Sequence, residues 1–136
     1  METKTIEEVY RLQPDQPSFF KTIGMKTIRI EDDGCVSCSI TVQREMLNSH
    51  RTCQGGAIYS LCDAVCGAYL RLNGTPSVTV DGHMSYYKPA MEGDIITVRV
   101  SPRRVGRTIK SLMAVVKNQN GDHICDSWFT FVAAER

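Results

Sequence analysis

From Ala57 to Leu70 the chain reads Ala-Ile-Tyr-Ser-Leu-Cys-Asp-Ala-Val-Cys-Gly-Ala-Tyr-Leu, with apolar side chains all around a helical axis. A helix of that kind is buried on nearly all sides. It is the only long helical run in the sequence, and the segments around it alternate as strands do. A single ionisable group interrupts it, Asp63. An unpaired carboxylate in an apolar helix is costly or takes up a proton, so Asp63 needs a partner or a task. A purely structural reading supplies the partner from Ser60, one turn earlier.

The flanking segments set the fold class. Thr5–Leu12 places Ile6, Val9, Tyr10 and Leu12 at helical spacing. Pro14 and Pro17 end that helix and open a loop holding Phe19 and Phe20. Met25–Glu31 and Cys35–Val42 predict a hairpin around Asp32-Asp33-Gly34. A polar stretch, Gln43–Gln54, then leads to Gly55-Gly56. After the helix come strand-like Ser77–Tyr87, Asp94–Val105 and Thr108–Asn118, and His123–Val132 follows the turn Asn120-Gly121-Asp122. Two strands, one long helix and four strands on short links do not alternate as a doubly wound sheet does. The pattern predicts an α+β domain, an antiparallel sheet packed on one helix. Residues 1–136 form a single domain in this reading, with residues 1–24 as an N-terminal helix and loop.

Charge and cysteine usage narrow the function. A net charge of +1 lacks the basic surplus that phosphate contacts need, which argues against nucleic acid as a partner. No apolar run approaches the ~18 residues of a membrane span, so no membrane partner is expected. The acidic N-terminus has no signal-peptide apolar core, which points to the cytoplasm. The six cysteines then read as reduced thiols. Cys62 and Cys66 serve as small hydrophobes in the helix. Cys35 and Cys38 have Cys-x-x-Cys spacing, but on an alternating strand their thiols face opposite ways. With no second Cys or His pair at zinc spacing, no metal is expected.

The chemistry concentrates on the long helix. Gly56, Ser60, Asp63 and Gly67 fall at i, i+4, i+7 and i+11, a stripe of small or polar residues that lets a ligand or another backbone approach. Helix–helix packing explains the glycines but not the carboxylate. Gly55-Gly56 opens the helix, where unpaired amides and the positive dipole end suit an oxyanion. Oxyanion donors with a carboxylate point to acyl transfer to water. Gly56 and Asp63 are separated by roughly 10 Å of helix axis, too far for both to meet one carbonyl carbon from the same helix. If both act on one substrate, they come from two copies of the chain.

Asn48-x5-Gln54-Gly55-Gly56-x6-Asp63, Val78-Thr79-Val80-Asp81 and Tyr86-Tyr87-Lys88-Pro89-Ala90 carry a family resemblance. With Glu92-Gly93-Asp94 and Gly106-Arg107-Thr108, they resemble the hotdog-fold thioesterases of the phenylacetyl-CoA thioesterase-like group. The resemblance implies a sheet wrapped around one long helix, homodimers joined sheet to sheet, and often homotetramers. It implies hydrolysis of an aryl- or medium-chain acyl-CoA, with no cofactor and no metal. It matches Asp63 to the catalytic carboxylate, as general base or nucleophile, and Gly56 to the oxyanion-hole amide. Asn48 matches a side chain that holds the attacking water or the thioester, and Thr79 a hydroxyl that assists the water. In the resemblance, Asn48 and Gly56 come from one subunit and Asp63 and Thr79 from its partner. Gln54 replaces the usual His, an amide donor that cannot become charged.

Asn48 also reads as a turn residue and Thr79 as an ordinary strand residue. Arg103, Arg104, Arg107 and Lys110 cluster across Gly106 as candidates for the coenzyme A phosphates, alongside Gly55 at the helix start, or as a solvated strand end. Phe19, Phe20, Tyr59, Tyr69 and Tyr87 are candidates for an aryl pocket or for core. His50, His83 and His123 are scattered, and a Cys53 nucleophile beside His50 lacks a third orienting group. The readings in competition with hydrolysis are an acyl-CoA-binding hotdog protein without turnover and a hotdog dehydratase or hydratase.

Overall fold

The computed structural model describes residues 1–134. In chain order its elements are β1 (Glu2–Thr5), α1 (Ile6–Tyr10), α2 (Phe19–Thr22), β2 (Thr27–Ile30) and β3 (Val36–Thr41). A 3-10 turn at Arg44–Met46 precedes α3 (Gly55–Leu72), and β4 (Ser77–Tyr86), β5 (Ile95–Val105), β6 (Ile109–Lys117) and β7 (His123–Ala133) follow. All strands pair antiparallel in one seven-stranded sheet of order β1-β2-β3-β5-β6-β7-β4.

The sheet follows the period-two pattern of its sequence. Ile96, Val98 and Val100 on β5, Leu112, Ala114 and Val116 on β6, and Cys125, Phe129 and Phe131 on β7 turn inward and are buried. Against them α3 lays Ile58, Leu61, Cys62, Val65, Cys66 and Leu70, also buried. The sheet therefore wraps the helix, as the order of elements predicts.

Three details differ from the sequence reading. A further strand, β1, pairs with β2 at the sheet edge. Phe19 and Phe20 do not sit in a loop: Ser18 caps a short helix there, its hydroxyl accepting from the Phe20 amide at 3.2 Å. The long helix begins at Gly55, as expected, but runs on to Leu72, past the apolar run that ends at Leu70. It is buried on nearly all sides, as the sequence predicts, and open along one stripe. Gly56 is exposed and Ser60, Asp63 and Gly67 half-buried, so the stripe of small and polar residues stays accessible.

At the other sheet edge lies β4, and three of its apolar side chains are not covered. Val78 and Val80 are 55% and 56% exposed, and Tyr86 is 50% exposed. An edge strand with bare backbone and apolar side chains is a template for pairing with another chain. All six cysteines are free and buried, and desolvation pushes the Cys38 and Cys53 thiols up to about 11. A Cys53 thiol held protonated is a poor nucleophile. Among the described residues no helix is long and apolar enough to cross a membrane.

Candidate active site

Asp63 has its partner, and it is not Ser60. The Ser60 hydroxyl donates back to the Gly56 carbonyl at 2.9 Å, whereas the Thr79 hydroxyl donates to Asp63 Oδ1 at 2.7 Å. A β-bulge makes this possible. In β4, Thr79 pairs with Phe131 and Gly82 with Phe129, and the register shifts between Thr79 and Asp81. Phe129 and Phe131 share the inward face of β7, so Thr79 and Gly82 both turn inward although they stand three positions apart. The extra residue at the bulge restores the parity. Without it one of the two would face solvent. At Gly82 a Cβ would stand 2.3 Å from the Tyr59 hydroxyl, so the helix and strand approach too closely there for any side chain.

Asp63 and Thr79 line a cavity of about 370 Å³ whose other walls include Tyr10, Phe20, Gly67, Arg71 and Phe131. Tyr10 and Phe20 stack with ring centroids 3.9 Å apart, and the Tyr10 hydroxyl donates to the Ala64 carbonyl at 2.8 Å. Burial holds the Tyr10 phenol well above its ordinary pKa; the nearby Arg71 cation opposes this and the Asp63 carboxylate adds to it. The phenol is a fixed, neutral donor, not an acid at neutral pH.

The start of α3 forms a second cavity, of about 320 Å³, lined by Asn48, Thr52, Cys53, Gly55 and Tyr86 among others. Gln54 occupies the N-cap, exposed and without a capping bond from its side chain. The first-turn amides of Gly55 and Gly56 have no acceptor within the helix. Tyr86, at the far end of β4, donates its hydroxyl to the Gly55 carbonyl at 2.6 Å. Its ring lies so close that a Cβ on Gly55 would meet it at 3.0 Å. The Asn48 side chain is engaged within its own loop. Its Oδ1 accepts from the His50 and Thr52 amides at 2.9 and 3.2 Å, and its Nδ2 donates to the Thr52 hydroxyl at 3.0 Å. Within one chain, Asn48 acts as the turn residue.

The structure thus groups the candidates in two sets: Asp63 with Thr79, and Asn48, Gln54, Gly55 and Gly56 together at the helix start. The basic cluster divides as well. Arg103, Arg104 and Arg107 are exposed near the β5–β6 connection, but Lys110 is not with them. It occupies an inward position of β6, 1% exposed, and its ammonium donates to the Arg107 carbonyl at 2.8 Å. Lys110 is a buried clamp on that hairpin and is not presented to a phosphate. Lys110 pairs with Phe131, which pairs with Thr79, so the arginines stand at the Asp63 end of the sheet. Of the five aromatic candidates, Phe20 lines the Asp63 cavity and Tyr87 the other, Tyr59 and Tyr69 pack inward, and Phe19 is 59% exposed.

Sequence reasoning missed Tyr10, Arg71 and Tyr86. Arg71 was within reach of the signal already used, since it continues the Asp63, Gly67 stripe by one more turn. The contacts of Tyr10 and Tyr86 arise between distant segments, and no local pattern reports them.

A family model for the thioesterase superfamily matches residues 50–125. The Escherichia coli acyl-coenzyme A thioesterase PaaI is 29% identical over 87 residues, 64% of this chain and 61% of that protein. Its solved structure superposes with a TM-score of 0.84, covering 96% of this chain and 91% of that one. A Streptococcus mutans protein solved with acetyl-CoA bound is 26% identical, with a TM-score of 0.76 over 83% of this chain and 89% of that one. A hypothetical thioesterase protein of Streptococcus pneumoniae, 25% to 26% identical with a TM-score of 0.75, has been solved in two alanine variants. They cover 80% of this chain and 89% to 90% of that one. One replaces an aspartate and the other a threonine 16 positions later, the same separation as Asp63 and Thr79. The fold is the hotdog fold, and with more than half of its residues matched by the family model this chain belongs to the thioesterase superfamily.

Proposed function

We propose that this chain, acting as a single domain, hydrolyses aryl- or medium-chain acyl-CoA thioesters at a site completed by two copies of itself. The observation that carries the reading is the Asp63–Thr79 hydrogen bond at one cavity while unpaired helix-start amides lie at another. Because Thr79 spends its proton on Oδ1, its oxygen lone pairs are left to accept from a water. Such a water points its second proton at Asp63 Oδ2, which makes the carboxylate a general base. The water oxygen attacks the thioester carbon, and the negative charge formed on the carbonyl oxygen is met by the Gly56 amide of the partner copy. The C–S bond then breaks, and the proton held by Asp63 passes to the departing CoA thiolate.

The sheet edge supports the shared site. β4 begins beside Asp63 at Thr79 and ends beside the helix start, where Tyr86 meets Gly55. Antiparallel pairing of β4 with its own copy about a twofold axis sets the start of one against the end of the other. The two half-sites are then brought together twice. Relatives solved with CoA or acetyl-CoA support the substrate class, and Arg103, Arg104 and Arg107 offer guanidinium groups for its phosphates.

The test is a panel of CoA thioesters monitored by release of free thiol, with Asp63→Asn beside the wild type. Turnover that falls by roughly 100-fold or more in a folded variant supports the base assignment. Binding of CoA thioesters with no turnover of any of them makes the chain a binding protein. Near-normal turnover in Asp63→Asn makes that residue structural.

A further inference from the structure

We propose that Arg71 selects the acyl group, and that the group it selects carries a carboxylate at the end remote from the thioester. This rests on the assignment of Asp63 as the catalytic carboxylate, which places the thioester at that end of the cavity.

Asp63, Gly67 and Arg71 follow one another at i, i+4 and i+8 on α3, one face of the helix spanning roughly 12 Å of axis. All three line the same cavity. Between the two charges Gly67 forms a floor without a side chain, and a Cβ built there meets nothing within 4 Å. That leaves room for the body of an acyl group, with the stacked Tyr10–Phe20 pair and Phe131 as apolar walls. At the far end Arg71 is held in place. Its Nε donates to the Val9 carbonyl at 2.9 Å, and its guanidinium lies 5.9 Å from the centre of the Tyr10 ring.

Those two contacts orient the guanidinium without using its terminal nitrogens. Among the described residues, no carboxylate pairs with Arg71 and no acceptor takes a hydrogen bond from its terminal nitrogens. A guanidinium fixed through Nε, with its other donors free in an apolar-walled cavity, matches a carboxylate. A neutral methyl end would offer those donors no acceptor. A negative acyl end also lies away from Asp63, so the two like charges stay separated by the length of the acyl body.

The comparison that reads this is adipoyl-CoA against hexanoyl-CoA, equal in carbon number and different only in the terminal carboxylate. The wild type should have the higher kcat/KM for adipoyl-CoA. Hydrogen bonds to a charged group are worth about 1.5–3 kcal/mol, so Arg71→Gln should cost adipoyl-CoA about 10- to 100-fold in kcat/KM. Hexanoyl-CoA should lose much less than adipoyl-CoA, and a circular-dichroism spectrum matching the wild type certifies the fold. Arg71→Lys should keep part of the preference. If the two substrates fall together in Arg71→Gln, the residue is only a clamp on Val9, and the proposal is overturned. A wild-type preference for hexanoyl-CoA overturns it as well.

A binding arm keeps the result independent of catalysis. The matching CoA thioethers, with a methylene in place of the thioester carbonyl, are titrated into the wild type and Arg71→Gln by calorimetry. Tighter binding of the carboxylated thioether, lost in Arg71→Gln, sustains the role of Arg71 even if no thioester is turned over. In that event it is the hydrolase reading that fails. Equal binding of the two thioethers to the wild type removes the role of Arg71 whatever the turnover.

Discussion

The two ends of the stripe on α3 are built by different means. At the Asp63 end the groups are side chains, and one chain assembles them: a carboxylate, a hydroxyl delivered by a bulged strand, and a cavity beside them. At the Gly55 end the groups are backbone amides, available because a helix must begin somewhere and because no side chain caps it. The Tyr86 hydroxyl there takes the Gly55 carbonyl, leaving the donors outward, and Asn48 is committed to its own loop. One end holds a carboxylate without free amides; the other holds free amides without a carboxylate. Geometry in a single chain keeps them apart, while the exposed β4 edge offers a way to join them.

The largest expected effect comes from removing either half and then mixing. Gly56→Pro deletes one first-turn N–H that no bond within the helix uses, with circular dichroism certifying the fold. Loss of one oxyanion donor costs about 100- to 1,000-fold in turnover. Asp63→Asn removes the base. Each homodimer should therefore be nearly inactive, for a different missing part. Unfolding and refolding an equal mixture makes half the dimers hybrids under random pairing, each with one site holding both defects and one holding neither. Recovery of about a quarter of wild-type activity is expected. Activity no higher than the mean of the parents, with hybrids confirmed by native mass spectrometry, breaks the comparison: the two ends would then not serve one site across two chains.

A smaller effect tests the Asp63 end by itself. Thr79→Val removes the hydroxyl that donates to Asp63 but keeps the branched strand side chain. A hydrogen bond to a charged group is worth about 1.5–3 kcal/mol, so a loss of roughly 10- to 100-fold in kcat is expected. Thr79→Ser should restore most of it. Equal rates for Val and Ser would show that the bond holds the strand and not a water.

Much of this was legible in the sequence, and the rest was hidden for definite reasons. The strand-helix-strand order and the period-two alternation of β5, β6 and β7 imply an antiparallel sheet around α3. The i, i+4, i+7, i+11 spacing marks the open stripe, because helical periodicity is local. The partner of Asp63 is not local. Ser60 is the nearer hydroxyl in sequence, but its bond to the Gly56 carbonyl is intrahelical, while Thr79 arrives from a strand whose inward face depends on a bulge. No residue type announces a bulge at Val80. Lys110 misled for a related reason: neighbouring positions of a strand face opposite ways, so a cation close to the arginines in sequence points into the core.

The smallest expected effect concerns Gln54, which stands at the Gly55 end where the sequence resemblance expects a His. The Gln54 side chain is exposed and forms no capping bond, so Gln54→His meets no steric barrier and breaks no contact of the cap. An imidazole there exchanges the amide donor for a ring N–H that is held closer to the backbone beside the helix-start amides. One neutral hydrogen bond is worth about 0.5–1.5 kcal/mol, so a gain of roughly two- to tenfold in kcat/KM is expected. The positive end of α3 disfavours an imidazolium, so the introduced His should titrate below its ordinary value of about 6.5 and act as a neutral N–H donor. The sign of the pH dependence follows: the gain persists from neutral to mildly alkaline pH, and does not grow as the pH falls toward 6. A gain that appears only on acidification would mean that positive charge, not an N–H, is what the helix start lacks. A loss greater than tenfold in a folded variant would show that the Gln54 amide itself holds substrate, and the Gly55 end would then supply a side chain to the site after all.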